Sequence, residues 1–159
     1  MAQLFSLGHI RAMQDILKRL VAELHVACFK PHGFKKSGGS FIRTDGVARQ
    51  TLKISSSRWN SADRPVSFSI YIWLAFTDIT HDDGSPFAGS PLSTYIAHLG
   101  VLAPEAPPFF ELTAANYESI KSQLLEILPR AFVEWPKHYE PVRSRLKRKE
   151  IFYVYNHVA

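Results

Sequence analysis

The amino-acid sequence predicts an α+β fold, with an antiparallel sheet of four to five strands and helices packed mainly on one face. Residues 66–76 alternate between apolar and other side chains, which is the spacing of a β-strand with one buried face. Residues 7–29 instead place apolar side chains three and four positions apart, which is the spacing of an amphipathic helix. A helix followed by a run of strands is typical of this fold class.

The N-terminal helix is predicted over residues 7–29. Pro31 and Gly33 follow it, and both residue types favour the end of a helix. The apolar stripe expected to face the core consists of Ile10, Met13, Leu17, Leu20, Leu24 and Cys28.

Three antiparallel strands are predicted within residues 40–77. The first contains Phe41 to Arg43, and the Asp45-Gly46 pair after it is a strong signal for a tight hairpin. The second strand covers about residues 47–56. The third covers residues 66–76, and its even-numbered side chains are expected to be buried. Its other face becomes apolar at Tyr71 and Trp73, which indicates that this half is covered or lies near a pocket.

The remaining elements are predicted to be mostly helical. The spacing of Tyr95, Ile96 and Leu99 favours a short helix over residues 91–99. A longer helix is predicted over residues 114–128, capped by Thr113. Pro129 is expected to kink or end it.

A basic helix is predicted over residues 141–149. Residues 151–155 then form either a strand or a C-terminal arm docked on the body.

Composition indicates one domain spanning residues 1–159. The hydrophobic content of 46% and aromatic content of 13% are enough to fill a core. The longest apolar run, residues 70–76, is too short to cross a bilayer, and the first residues lack the pattern of an export signal. We therefore expect a cytoplasmic protein without a membrane partner. The single cysteine excludes an intrachain disulfide.

The first half of the sequence resembles a known bacterial family. The helix ends in Lys30-Pro31-His32-Gly33-Phe34, a glycine turn and Phe41-Ile42-Arg43 follow, and the second strand leads into Ser57-Arg58-Trp59-Asn60. In this order the segments are similar to the family catalogued as domain of unknown function 4304. The resemblance covers residues 7–77 and, more weakly, residues 113–136. It implies a fold and a bacterial cytosolic setting, but no particular chemistry.

Residues 78–110 depart from the pattern of that family, because the second stretch of strands expected there is missing.

The sequence offers few candidates for chemistry. Asp78, His81, Asp82 and Asp83 could ligate a divalent metal, but the same residue types favour a solvated turn, which we expect instead. Residues 35–40 lack the Gly-Lys-Ser/Thr that a phosphate-binding loop requires. No Gly-x-Ser-x-Gly motif occurs either. We therefore expect no catalytic residue, no metal and no cofactor, which favours a protein that is not an enzyme.

Two groups of residues are candidates for binding. The first group consists of aromatic and polar residues near the long strand, namely Arg58, Trp59, Asn60, Tyr71 and Trp73. An exposed Trp beside an Arg is typical of an interaction hot spot, although the Trp could instead fold back on the sheet. The second group is a run of cations that could contact nucleic-acid phosphates or form a solvated helix face, namely Arg143, Arg145, Lys147, Arg148 and Lys149.

These observations predict a non-enzymatic protein-interaction or binding module. A small bacterial protein without catalytic motifs fits an immunity-type antitoxin, which blocks the site of a partner protein; this is an analogy of class rather than of residues. Nucleic-acid binding through the basic C-terminal segment is the alternative, consistent with a net charge of +5. The sequence also leaves open that the protein forms a homo-oligomer.

Overall fold

The computed structural model of the protein describes residues 15–57, 60, 64–79 and 94–148. Within these residues the fold is α+β, as predicted, with an antiparallel sheet and a layer of helices. None of the described helices combines the length and hydropathy needed to cross a membrane.

The elements follow the chain in a simple order. Helix α1 covers residues 15–24 and continues as a π-helical turn at His25–Phe29. The strands are β1 (Lys35–Ser37), β2 (Ser40–Asp45), β3 (Ala48–Ser56), β4 (Val66–Phe76), β5 (Thr94–His98) and β6 (Phe110–Leu112). A 3-10 turn at Leu99–Val101 follows β5. Helix α2 (Tyr117–Glu134), a 3-10 turn (Trp135–His138) and helix α3 (Tyr139–Lys147) complete the described chain.

Within the described residues the sheet has six strands, and β1 to β5 lie side by side in chain order. Strand β6 pairs with residues 66–68 of β4, along the same edge on which β5 pairs with residues 71–75. The Asp45-Gly46 hairpin joins β2 to β3 as predicted, and Gly46 adopts a positive φ of 57°, which favours glycine. The sheet is therefore an antiparallel meander with β4 near its centre.

The core lies between one face of the sheet and the helices. The even-numbered side chains of β4 are buried, as the alternation predicted. Phe68 is fully buried and stacks on Phe110, with ring centroids 5.2 Å apart. Phe41 contacts Phe29 of the π-helical turn, with their ring centroids 4.5 Å apart. Each fully buried ring of this size contributes about 1.5–3 kcal/mol through the apolar area it removes from water.

The predicted helix over residues 91–99 is wrong, because residues 94–98 form strand β5. Tyr95 and Ala97 are buried while Ile96 and His98 are half-exposed, which is the alternation of a strand. The backbone of β5 also pairs with β4 over five residue pairs. A helix here would leave that part of the β4 edge without hydrogen-bond partners. Together with β6, this strand also corrects the expectation that strands are missing from residues 78–110.

Pro129 lies inside α2, which runs on to Glu134. A proline inside a helix costs about 3 kcal/mol, mainly through the lost backbone hydrogen bond. The turns after it bury Ala131, Phe132 and Trp135 almost completely. Burial of the two large rings contributes about 1.5–3 kcal/mol each, which is enough to offset the cost of the proline.

The other helix boundaries differ slightly from the predictions. Thr113 does not cap α2 directly; its backbone N–H donates to Asn116 Oδ1 at 2.7 Å, and the Asn116 N–H donates to Thr113 Oγ1 at 3.2 Å. This reciprocal pair fixes the chain just before α2 begins. The predicted basic helix is present as α3, which begins at Tyr139. The interpretations of residues 7–14, 80–90 and 151–155 lie outside the described residues.

Candidate binding site

The sheet face opposite the core contains two of the predicted binding residues. The register of β4 with its neighbours places Tyr71 beside Lys53 and His98, and Trp73 beside Thr51 and Ile96. We call this side of the sheet the open face, defined by Ile42, Arg49, Thr51, Lys53, Tyr71, Trp73, Ile96 and His98. All eight are exposed or half-exposed.

The described ring contacts between sheet and helices involve the other face. Phe41 meets Phe29 there, and Phe76 meets Tyr139 with ring centroids 6.2 Å apart. Ser69 is the buried exception among the open-facing residues of β4, and it lies opposite Ser55. The rest of this side keeps contact with solvent.

Four rings form what we call the aromatic strip, namely Tyr71, Trp73, His98 and Phe109. The rings of Tyr71 and His98 lie 4.6 Å apart, and those of His98 and Phe109 lie 6.3 Å apart. Phe109 is 55% exposed, which is unusual for so large an apolar side chain. Lys53 Nζ lies 5.9 Å from the centre of the Trp73 ring, within the range of a cation–π interaction.

The side chain of Asn60 holds the loop between β3 and β4. Its Nδ2 donates to the Ser67 carbonyl oxygen at 3.0 Å, and the Ser67 N–H donates to Asn60 Oδ1 at 2.9 Å. The Ser57 N–H donates to the same carbonyl at 2.8 Å. The Asn60 side chain thus extends the β3–β4 hydrogen-bond ladder across the loop. Arg58 and Trp59, predicted beside it, lie outside the described residues.

A second polar group lies on the core side of the sheet. Gln50 is fully buried, and its Oε1 accepts a hydrogen bond from Arg43 Nε at 2.7 Å. Its Nε2 donates to the hydroxyl of Tyr139, which in turn donates to Asp45 Oδ2 at 3.0 Å. Burial and the hydrogen bond to Asp45 raise the pKa of Tyr139 well above its ordinary value. Tyr139 therefore keeps its proton, and the group fastens α3 to β2 and β3.

Arg43 completes this group on the side of the N-terminal helix. It donates to the backbone carbonyl of His32 at 3.0 Å, and its guanidinium lies 4.7 Å from the centre of the Phe34 ring. Every polar atom named here is used in holding elements together. Their hydrogen bonds join β2, β3, α3 and the turn after the N-terminal helix, which is the pattern of a structural network.

The basic C-terminal residues are divided by the fold. Arg143 forms an ion pair with Asp78, which follows β4, so it is already neutralised. Arg145, Lys147 and Arg148 are exposed, and Lys149 lies outside the described residues. Helix α3 packs on the core side, with Val142 and Leu146 buried, so these cations and the open face lie on opposite sides of the sheet.

The metal candidate of the sequence is only partly visible. Asp78 belongs to the ion pair with Arg143, and His81, Asp82 and Asp83 lie outside the described residues. Within the described ranges no group of three His, Cys, Asp or Glu side chains could hold a metal ion. Cys28 is buried, and burial raises the pKa of its thiol to about 11. A thiol with so high a pKa is a poor nucleophile at neutral pH.

A groove of about 570 Å³ lies between α1 and the β1–β2 hairpin. Its floor is apolar and includes Leu17, Val21 and Phe41, while Lys36 and His25 also line it. These residues do not form a catalytic set.

Neither a family model, nor a curated protein, nor a solved structure matches the chain. The resemblance to the domain of unknown function 4304 family therefore stays a prediction. Tyr71 and Trp73 were predicted from the sequence, whereas Lys53, His98 and Phe109 were not. The alternation of side chains along β3 was a usable signal for Lys53. However, only the strand register brings Lys53 and His98 beside Tyr71.

Proposed function

We propose that the protein is a cytoplasmic, non-enzymatic interaction module of bacterial origin that binds a partner protein through its open face. The observation that supports this most is the aromatic strip, which places Tyr71, Trp73 and the exposed ring of Phe109 on one side of the sheet. Tyr and Trp are enriched at protein interfaces because they combine a large apolar surface with a polar group.

The arrangement around the strip also favours a protein partner. Tyr71, Trp73 and Ile96 form an apolar centre, and Arg49 and Lys53 lie in the neighbouring strand. An apolar centre with a polar rim is the usual anatomy of a protein–protein interface. An immunity-type protein, which blocks the site of a toxin, is one form of such a module. A toxin gene beside this gene would support that form.

Nucleic-acid binding is the second candidate, favoured by the exposed cations of α3, Arg145, Lys147 and Arg148. A single strand binds best where a basic track runs beside stacking rings. Here the rings of the aromatic strip lie on the open face, whereas these cations lie on the opposite side of the sheet. We therefore rank this function below protein binding.

Site-specific photocrosslinking in the native host would test the proposal. A photoreactive phenylalanine analogue at Phe109 samples the open face, and the same analogue at Val133 is the control, since Val133 is also well exposed, on α2. We expect one protein to crosslink from Phe109, not from Val133, and to be lost when Trp73→Ala is added. The purified partner should then bind the wild-type protein and bind Trp73→Ala more weakly.

Three outcomes would contradict the proposal. Equal crosslinking from both positions would indicate nonspecific contact. Crosslinks to nucleic acid would promote the second candidate, and crosslinks to a second copy of this chain would indicate self-association through the strip. Circular dichroism should first establish that Trp73→Ala is folded.

A further inference from the structure

The basic side chains of α1 and α2 are paired with acidic ones. Each Lys and Arg on α1 and α2 lies within 4.0 Å of a carboxylate. The pairs are Lys18 with Asp15, Arg19 with Glu23, Lys121 with Glu23 and Glu118, and Arg130 with Glu105 and Glu126. The 3-10 turn after α2 contains another such pair, in which Lys137 Nζ lies 2.7 Å from Glu134 Oε1. Helices α1 and α2 therefore present little net charge to a partner, whereas Arg145, Lys147 and Arg148 in and just after α3 are exposed.

The cations of the sheet are arranged differently. The register places Lys35, Arg49 and Lys53 on the same side as Tyr71 and Trp73. In the part of the chain that the structure describes, none of these three forms an ion pair with a carboxylate. Glu111 is the acidic residue that the register places on this side, and it lies opposite Ser67, towards the other end of β4. The aromatic strip is thus bordered by positive charge that no carboxylate of the described residues neutralises.

Resting on the proposed function, we propose that the partner protein presents an acidic surface, with carboxylates around an apolar side chain that packs against Trp73 and Tyr71. Unpaired cations beside a solvent-accessible apolar centre complement such a surface. A basic partner would instead bring like charges together, at a cost of several kcal/mol.

The position of Lys53 makes it the residue on which this inference can be tested. Its ammonium group lies over the Trp73 ring and its strand position is directly opposite Tyr71. A carboxylate that reached Lys53 would therefore lie at the centre of the strip. Lys137 is the matched control, because it is an exposed lysine on the helix layer that is already paired with Glu134.

A nuclear magnetic resonance titration with a defined probe would test this chemistry without the natural partner. The probe is a peptide of about 12 residues with one central Trp flanked by Glu, and its counterpart has Gln in place of each Glu. Added to the isotope-labelled full chain, the Glu peptide should shift the amide signals of Lys53, Tyr71 and Trp73, and the Gln peptide should bind about 10-fold more weakly. Lys53→Glu should weaken binding of the Glu peptide by about 10-fold, whereas Lys137→Glu should leave it unchanged.

Several results would overturn the inference. These are equal binding of the two peptides, shifts confined to α3, an unchanged affinity in folded Lys53→Glu, and tighter binding of single-stranded thymidine oligomer than of the Glu peptide. The inference and the proposed function can fail separately. A partner that crosslinks at Phe109 but binds Lys53→Glu as well as wild type would retain the interaction module and eliminate the acidic partner.

Discussion

Arg143 in α3 and Asp78 just after β4 form an ion pair that joins a helix to the end of the longest strand. Arg143 Nε lies 3.4 Å from Asp78 Oδ1, and a second guanidinium nitrogen contacts the other carboxylate oxygen. The hydrogen bond from Arg143 lowers the pKa of Asp78 below its ordinary value. From the sequence, Arg143 was a candidate for nucleic acid, and Asp78 was a possible metal ligand that we expected instead in a solvated turn. Their pairing assigns both residues to the attachment of α3.

Binding of single-stranded nucleic acid through α3 should be weak. Arg145, Lys147 and Arg148 could neutralise at most three phosphates, giving a log–log salt slope no steeper than about −2. We expect sequence-independent binding at low salt that disappears near physiological salt, measured by fluorescence anisotropy with labelled DNA and RNA. Micromolar binding that survives physiological salt, and is lost when these three residues are changed to Ala, would make nucleic acid the leading function.

Truncation of Phe68 should be strongly destabilising. Its ring is fully buried and stacked on Phe110, so Phe68→Ala removes apolar contacts and leaves a cavity. We expect the free energy of unfolding in a urea melt to fall by about 3–5 kcal/mol. Val133→Ala, at a 69% exposed position of α2, should change it by less than about 0.5 kcal/mol. A loss below about 1 kcal/mol for Phe68→Ala would mean that the buried face is wrongly assigned.

Gln50 and Tyr139 should be coupled energetically through their hydrogen bond. Tyr139→Phe removes the hydroxyl that accepts from the buried Gln50 amide, so it leaves a polar group without its partner. We expect a cost of about 1–3 kcal/mol in the free energy of unfolding.

Gln50→Leu combined with Tyr139→Phe tests the coupling. Once the buried amide is gone, the loss of the hydroxyl should cost less than it does alone, so the double variant should be more stable than the sum of the single effects. Strict additivity in the urea melts would argue against the network.

Glu23 should make the free energy of unfolding depend on pH in the acidic range. Hydrogen bonds from Arg19 and then Lys121 lower the pKa of Glu23 from 4.5 to about 2. A carboxyl group with a depressed folded-state pKa stabilises the fold above its unfolded pKa and loses that contribution as the pH falls through the folded value. Glu23→Gln should therefore be less stable than wild type at about pH 7, and the difference should shrink between about pH 4.5 and pH 2. Urea melts of both proteins across this pH range would measure the difference in the free energy of unfolding. A difference that does not change with pH would contradict the expectation.

The strands that fill the core were the easiest part of the fold to predict. In β4 the buried side chains repeat at every second position over 11 residues, and a helix cannot reproduce that spacing. Residues 94–98 were misassigned because Tyr95, Ile96 and Leu99 also fit a helical face. Residues 94–98 form a strand because the edge of β4 needs hydrogen-bond partners. The local sequence pattern does not reveal this requirement.

The candidate site was predictable only within single strands. Tyr71 and Trp73 stand out in the sequence because they are large aromatic residues on the side of β4 that begins with two serines. Lys53 and His98 reach Tyr71 through the registers of β3 and β5, which depend on the pairing of the whole sheet. Likewise, the isolated sequence of α3 cannot indicate that Arg143 is neutralised by Asp78, a residue 65 positions away.

The chain order of β1 to β5 has a consequence for how the protein folds. Each of these strands pairs with the one before it, so the first pairings close short loops at a small entropic cost. The contact between Lys121 and Glu23, in contrast, joins residues 98 positions apart and must close a long loop. We therefore expect the amide protons of β2 and β3 to become protected from hydrogen exchange during refolding before those of α1.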